Sequence, residues 1–151
     1  GVSILSQIRY LHYWERILSE GEPDCSYMAT NQRYRIKKIL VTGATKFSKR
    51  SGFQLNQYKS RDRGVEIESV YKGALSEFKS IEPGVLVLLP VDMFVKEDVQ
   101  IVLFGCNYLW FNCSLDSGKF QWKDFDGWKG LGWRGIPVID KIEVHTEKVV
   151  E

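Results

Sequence analysis

Residues 53–81, FQLNQYKSRDRGVEIESVYKGALSEFKSI, decide the fold class. From Phe53 to Tyr58 apolar and polar residues alternate with the two-residue period of a half-buried strand. Lys59-Ser-Arg-Asp-Arg-Gly64 then makes a charged turn. Val65, Ile67, Val70, Tyr71, Leu75 and Phe78 continue as a returning strand with Gly73 at its bend. The pattern predicts a long β-hairpin over 53–81. On either side the chain reads mostly as strand. Tyr34 to Thr42 runs to Gly43, Glu82-Pro83-Gly84 forms a turn, and Val85 to Leu89 is a buried strand. Val99 to Cys113 reads as one central strand carrying Ile101, Leu103, Tyr108, Trp110 and Phe111. Asp116-Ser-Gly118 reads as a hairpin turn into Lys119 to Phe125, and Ile136 to Val150 as a last strand.

Upstream, residues 3–20 predict a helix. Ile4, Ile8, Leu11 and Leu18 recur at helical spacing, so this stripe is expected to be buried on the sheet. Ser3 is placed to cap the start, and Gly21 with Pro23 to end it. Residues 22–32 form a polar linker. The expected architecture is α+β: a twisted antiparallel or mixed sheet over 34–150, one long N-terminal helix packed on it, and a long β-hairpin. At 151 residues there is room for one core, so 1–151 is read as a single domain. The opening Gly-Val-Ser, with no Met, reads as a domain cut from a larger protein.

Composition narrows the class further. Apolar residues at 44% and charged residues at 26% fit a globular domain. No apolar run reaches the roughly 18 residues of a membrane span, so no membrane partner is expected. Arg9, Glu15 and Arg16 interrupt the first helix and argue against a signal peptide. Cys25, Cys106 and Cys113 are odd in number and widely spaced, which favours a reducing intracellular compartment over a disulfide framework. Cys106 and Cys113 are expected to be buried small hydrophobes. With only His12 and His145 besides, no metal-ligand spacing stands out, and no cofactor is expected.

Charge is unevenly distributed. Residues 33–63 hold ten basic side chains opposed only by Asp62, a segment charge of +9, while eleven basic and eighteen acidic residues elsewhere give −7. Such asymmetry points to a polyanionic partner, with a merely solvated hairpin as the bland alternative. Neither a GxGxxG following a strand nor a GxxxxGK[ST] occurs, and two distant histidines supply no base for a Ser or Cys nucleophile. Catalysis by this domain alone is not expected. The positive signal is aromatic. Four of five tryptophans fall between Trp110 and Trp133. Trp110, Phe111 and Trp122 sit in strand-like runs and are expected in the core. Trp128 and Trp133 stand among glycines, where a ring can stack on a base, with Asp126 nearby to accept from a base edge. The alternative is that these rings close the end of the sheet.

One further signal lies in residues 47–81. The run FSKRSGFQLNQYKSRDRGVEIESVYKGALSEFKSI resembles the opening hairpin of the cap-binding domain of influenza-type polymerases. The shared features are a Phe-Ser start, a Gly-Phe opening the first strand, a basic turn and a Glu-rich second strand. That strand carries Val70-Tyr-Lys-Gly73-Ala-Leu75, then Phe78-Lys-Ser-Ile81. Tyr71-Lys72-Gly73 is also similar to the bend in the small C-terminal domain of bunyavirus and arenavirus large polymerase proteins. The chain departs from the influenza pattern where Glu82-Pro83-Gly84 stands in place of a stacking residue. The resemblance implies that a 7-methylguanine cap is held between two rings while an acidic side chain reads its edge, for cap-snatching in viral transcription.

By that resemblance Phe47, Phe53 and Tyr71 line the pocket; Trp128 and Trp133, read from the glycine-aromatic stretch, are the candidates from outside the matched region. Asp126 reads the base edge, while Lys49, Arg50, Lys59, Arg61 and Arg63 meet RNA phosphates. The pocket is expected between the 47–71 hairpin and the 126–134 loop. The implied partners are capped mRNA or other RNA and the remaining domains or subunits of a viral RNA-directed RNA polymerase, in host cytoplasm or nucleus and in the virion. A generic single-stranded RNA-binding module and a protein-docking domain are the rival readings.

Overall fold

The computed structural model describes residues 4–20, 32–60, 66–127 and 137–150. In chain order the elements are α1 (Ile4–Ser19), β1 (Tyr34–Thr42), β2 (Gly52–Ser60), β3 (Glu66–Ala74), β4 (Lys79–Glu82) and β5 (Val85–Leu88). They are followed by β6 (Phe94–Val95), β7 (Asp98–Leu103), β8 (Asn107–Asn112), β9 (Lys119–Gln121), β10 (Asp126–Gly127) and β11 (Lys141–Lys148). The chain is α+β with an N-terminal helix, as its periodicities predict. Among the described residues every strand pairing is antiparallel.

The strands form two sheets rather than one. The first runs β4-β5-β1-β11-β9, with β6 also on β1; the second runs β10-β8-β7-β2-β3. Inward side chains from both, such as Ile39, Val41 and Ile142 facing Phe53, Leu55, Ile101 and Leu109, make one continuous core. Each such aliphatic or aromatic side chain contributes about 1.5–3 kcal/mol by leaving water. Three sequence expectations change where the chain moves between these sheets or turns. The returning strand of the 53–81 hairpin stops at Ala74. A single 3-10 turn, Leu75–Glu77, buries Leu75 and passes the chain to β4 in the other sheet. The expected central strand 99–113 is a hairpin, β7 and β8, broken at Phe104 and Gly105, both with positive φ. Asp116 to Gly118 does turn the chain, but into β9, which pairs with β11 across the molecule and not with β8.

The helix corrects the largest expectation. Ile8, Leu11 and Leu18 are 45%, 62% and 61% exposed, and Trp14 is exposed beside them. The inward face is polar. β10 covers only the first two residues of β8, and beyond it α1 takes the place of an edge strand. Ser6 Oγ accepts from the Trp110 N–H at 3.1 Å, Arg9 donates to the Trp110 carbonyl at 2.9 Å, and Tyr13 Oη accepts from the Asn112 N–H at 3.4 Å. Arg16 donates to the Leu115 carbonyl at 2.9 Å. Ser6, Arg9, Tyr13 and Arg16 recur at helical spacing, one side chain per turn, on the face opposite the apolar stripe. A helix that covers a backbone edge needs hydroxyls and guanidinium groups inward, where one lying on a sheet face needs leucines.

Candidate nucleic-acid interface

The loop joining β1 to β2 builds the site. At Gly43 the chain turns with φ +82, and a Cβ there would meet Asp140 Cγ at 2.3 Å, so only glycine fits. The N–H groups of Gly43 and Ala44 donate to the Gly84 carbonyl at 2.8 and 3.0 Å. Thr45 and Ser48 then bond reciprocally: the Thr45 N–H donates to Ser48 Oγ at 2.8 Å and the Ser48 N–H to Thr45 Oγ1 at 3.2 Å. This exchange, the logic of a helix capping box, starts the 3-10 turn Ser48–Arg50 and fixes the loop.

Phe47 stands inside that fixed turn, 38% exposed. Its ring lies against Phe104, centroids 5.6 Å apart and planes tilted by 44°. The Phe104 N–H is shared between Ser51 Oγ at 3.1 Å and the Gly52 carbonyl at 3.2 Å, which ties the β7–β8 turn to the start of β2. Lys46, Lys49 and Arg50 surround Phe47 in sequence, are exposed, and make no ion pair among the described residues. The result is an accessible ring on a rigid turn beside uncompensated positive charge.

The other pocket residues inferred from the sequence have different surroundings. Phe53 is 0% exposed, edge-on to Phe78 at 5.2 Å, and is core. Tyr71 is half-buried and packs on Phe53 at 5.8 Å, and its hydroxyl donates to Glu77 Oε2 at 3.0 Å. The Ala74 N–H donates to the same oxygen at 3.0 Å. These two donors hold the Glu77 carboxyl below its ordinary value, while burial and then Glu77 push the Tyr71 hydroxyl up. A Cβ at Gly73 would stand 2.6 Å from Tyr71 Oη, so the glycine of Tyr71-Lys72-Gly73 makes room for this pair.

Asp126 is a helix anchor. It is buried, and its carboxylate accepts from the Leu5 N–H at 2.7 Å, the Ser6 N–H at 3.0 Å and Ser6 Oγ at 2.6 Å. Both oxygens are taken by the first turn of α1, where unpaired N–H groups and the helix dipole favour an anion. Buried and turned toward the helix, the carboxylate is not presented to a base edge. Of the 126–134 loop only Asp126 and Gly127 are described, and they lie at the end of the second sheet where β2 begins. Gly127 pairs with Asn107, immediately after the Phe104 turn that touches Gly52. Trp128, Trp133, Arg61 and Arg63 lie outside the described residues.

The expected basic set divides. Lys49 and Arg50 precede β2, whereas Lys59 closes it, and seven residues of strand put about 23 Å between Gly52 and Lys59. Phe104 was missed as a site residue because its apolar neighbours read as continuous strand, although Phe-Gly before a new apolar run is a turn signal. Trp110, expected in the core, is half-buried and stacks on Tyr58 with centroids 4.8 Å apart and planes within 12°. Phe111 and Trp122 are buried as expected. Cys113 is buried and its thiol is pushed up by burial, whereas Cys106 is exposed, because it ends the β7–β8 turn. Among the described residues no three His, Cys, Asp or Glu side chains gather as a metal site, and no helix is long and apolar enough to cross a membrane.

No family model, curated protein or solved structure matches the chain.

Proposed function

We propose that this domain binds single-stranded RNA at the Phe47 turn, as a cap-binding-like domain of a viral RNA polymerase. One observation carries the reading: an exposed aromatic ring on a pre-ordered turn, with Lys46, Lys49 and Arg50 beside it. A base stacks on the exposed part of the Phe47 ring, and the cations take the flanking phosphates. Phe47 and Phe104 already touch, which leaves no space for a base between them. The opposite ring of a cap sandwich therefore has to come from elsewhere, and Trp128 and Trp133 are the sequence candidates. A methylated, cationic guanine gains cation–π attraction from such rings as well as stacking.

Titration of the chain with 7-methylguanosine and unmethylated guanosine triphosphates, followed by tryptophan fluorescence, tests cap specificity. A cap-specific site responds to the first and not the second. An equal response makes the domain a general RNA binder, and no response alongside undiminished RNA binding removes the cap from the reading.

The apolar stripe of α1 favours a second reading, docking on another domain of the same polymerase. Ile8, Leu11, Trp14 and Leu18 form an exposed row on a helix whose opposite face is committed to β8. Apolar rows of this kind mark protein-facing surfaces.

A further inference from the structure

At the other end of β1 the strand carries a bulge. Ile36 pairs with Thr146 and Lys38 with His145, so Lys37 is an extra residue. It flips the strand's parity: Tyr34 and Ile36 face the core before it, Ile39 and Val41 after it. An unbroken two-residue period would have driven Lys38 inward. The bulge instead leaves Lys37 and Lys38 next to β11, where Lys148 lies three pairs from Lys38. With residues of the turn after β8, these side chains line an open cavity of about 610 Å³.

The charge of this cavity is lopsided. Lys37, Lys38 and Lys148 line it, and none is in an ion pair among the described residues. His145 adds a ring nitrogen, and Ser117 and Thr146 add hydroxyls. Asp116 is the one lining carboxylate, and its oxygens are engaged by the Tyr13 hydroxyl at 2.6 Å and the Gly118 N–H at 3.3 Å. Around the rim, Glu147 is paired with Arg35 and Glu143 faces His145 and Lys119. Glu97 is buried near Tyr34 and does not line the cavity. Three lysines lining a hydroxyl-bearing recess supply the charge and donors that phosphate oxygens need.

We propose that this cavity binds phosphate groups, as a site separate from the Phe47 turn. Four residues of strand, about 13 Å, separate Lys38 from Thr42, and Phe47 lies beyond that. The phosphates can belong to a free polyphosphate or to an RNA backbone, and the site does not depend on the base-stacking reading.

Inorganic pyrophosphate and an eight-nucleotide oligouridylate, each titrated into the chain and followed by backbone amide resonances, test it. Pyrophosphate should saturably shift the signals of Lys37, Lys38, Thr146 and Lys148. The double variant K38Q/K148Q should weaken it about tenfold or more, and K38R/K148R should retain it. Matching shifts with the oligouridylate identify an RNA backbone as the source, and shifts with pyrophosphate alone identify a free phosphate chain. Phe47→Ala should leave the pyrophosphate affinity unchanged, which separates this site from the base-stacking one. Absence of saturable pyrophosphate binding at millimolar concentration, or undiminished binding by a folded K38Q/K148Q, overturns the proposal.

Discussion

Phe104 holds φ at 57°, a left-handed conformation that costs a non-glycine residue on the order of 1 kcal/mol. The cost is borne where the ring meets Phe47, and strained backbone of this kind collects at functional sites. Phe47→Ala should therefore weaken RNA binding about tenfold, within the roughly 1–3 kcal/mol of one stacked base. Calorimetry should show the melting midpoint lowered by only a few degrees, because the ring is already partly in water. Asp126 behaves in the opposite way. Asp126→Ala leaves three donors of α1 without their acceptor and should cost about 2 kcal/mol by chemical denaturation, with RNA affinity retained. A variant that stays fully stable but loses RNA would return Asp126 to the binding site. Glu77 supplies a pH signature. Its folded-state pKa is depressed, so its contribution is intact above the ordinary carboxylate value of 4.5 and is lost as pH falls through the lower folded value. Melting midpoints of Glu77→Gln should fall less steeply than wild type between about pH 5 and pH 3.

Elements show why the sequence could be read only in part. Local period was enough to find α1, the β2–β3 hairpin and most strands, because each depends on alternation within a few residues. The orientation of α1 was not legible. An apolar stripe at helical spacing normally faces the core, and only the contact with the β8 edge shows that Ser6, Arg9 and Tyr13 are the inward residues. The same limit hid the role of Asp126, whose helix partner lies 120 residues away. Phe47 and Phe53 enter the site only through the family resemblance; Phe47 is exposed on its turn whereas Phe53 is core, since alternation marks a strand face without saying which face is covered. Two substitutions check the inverted helix. Leu11→Ser should change stability by less than about 0.5 kcal/mol, whereas Leu109→Ala, fully buried on β8, should cost about 2–5 kcal/mol in urea unfolding. Equal losses would mean that the stripe of α1 is covered in solution.

Over the whole molecule, the +9 of residues 33–63 is spread along both long strands rather than gathered in one hairpin. Its described members lie around the Phe47 turn, along β1 with its bulge, and at the end of β2. A single RNA strand touching one end engages a few of these cations and not all ten. The measurement that bears most directly on RNA binding at the Phe47 turn is the affinity for a labelled twelve-nucleotide RNA as a function of salt, for wild type, Phe47→Ala and the double variant K49A/R50A. Wild-type binding should fall linearly in log–log form. K49A/R50A should flatten that slope by about 1–2, and Phe47→Ala should lower affinity about tenfold with the slope unchanged. RNA affinity and salt dependence that are identical in all three folded proteins would contradict the account.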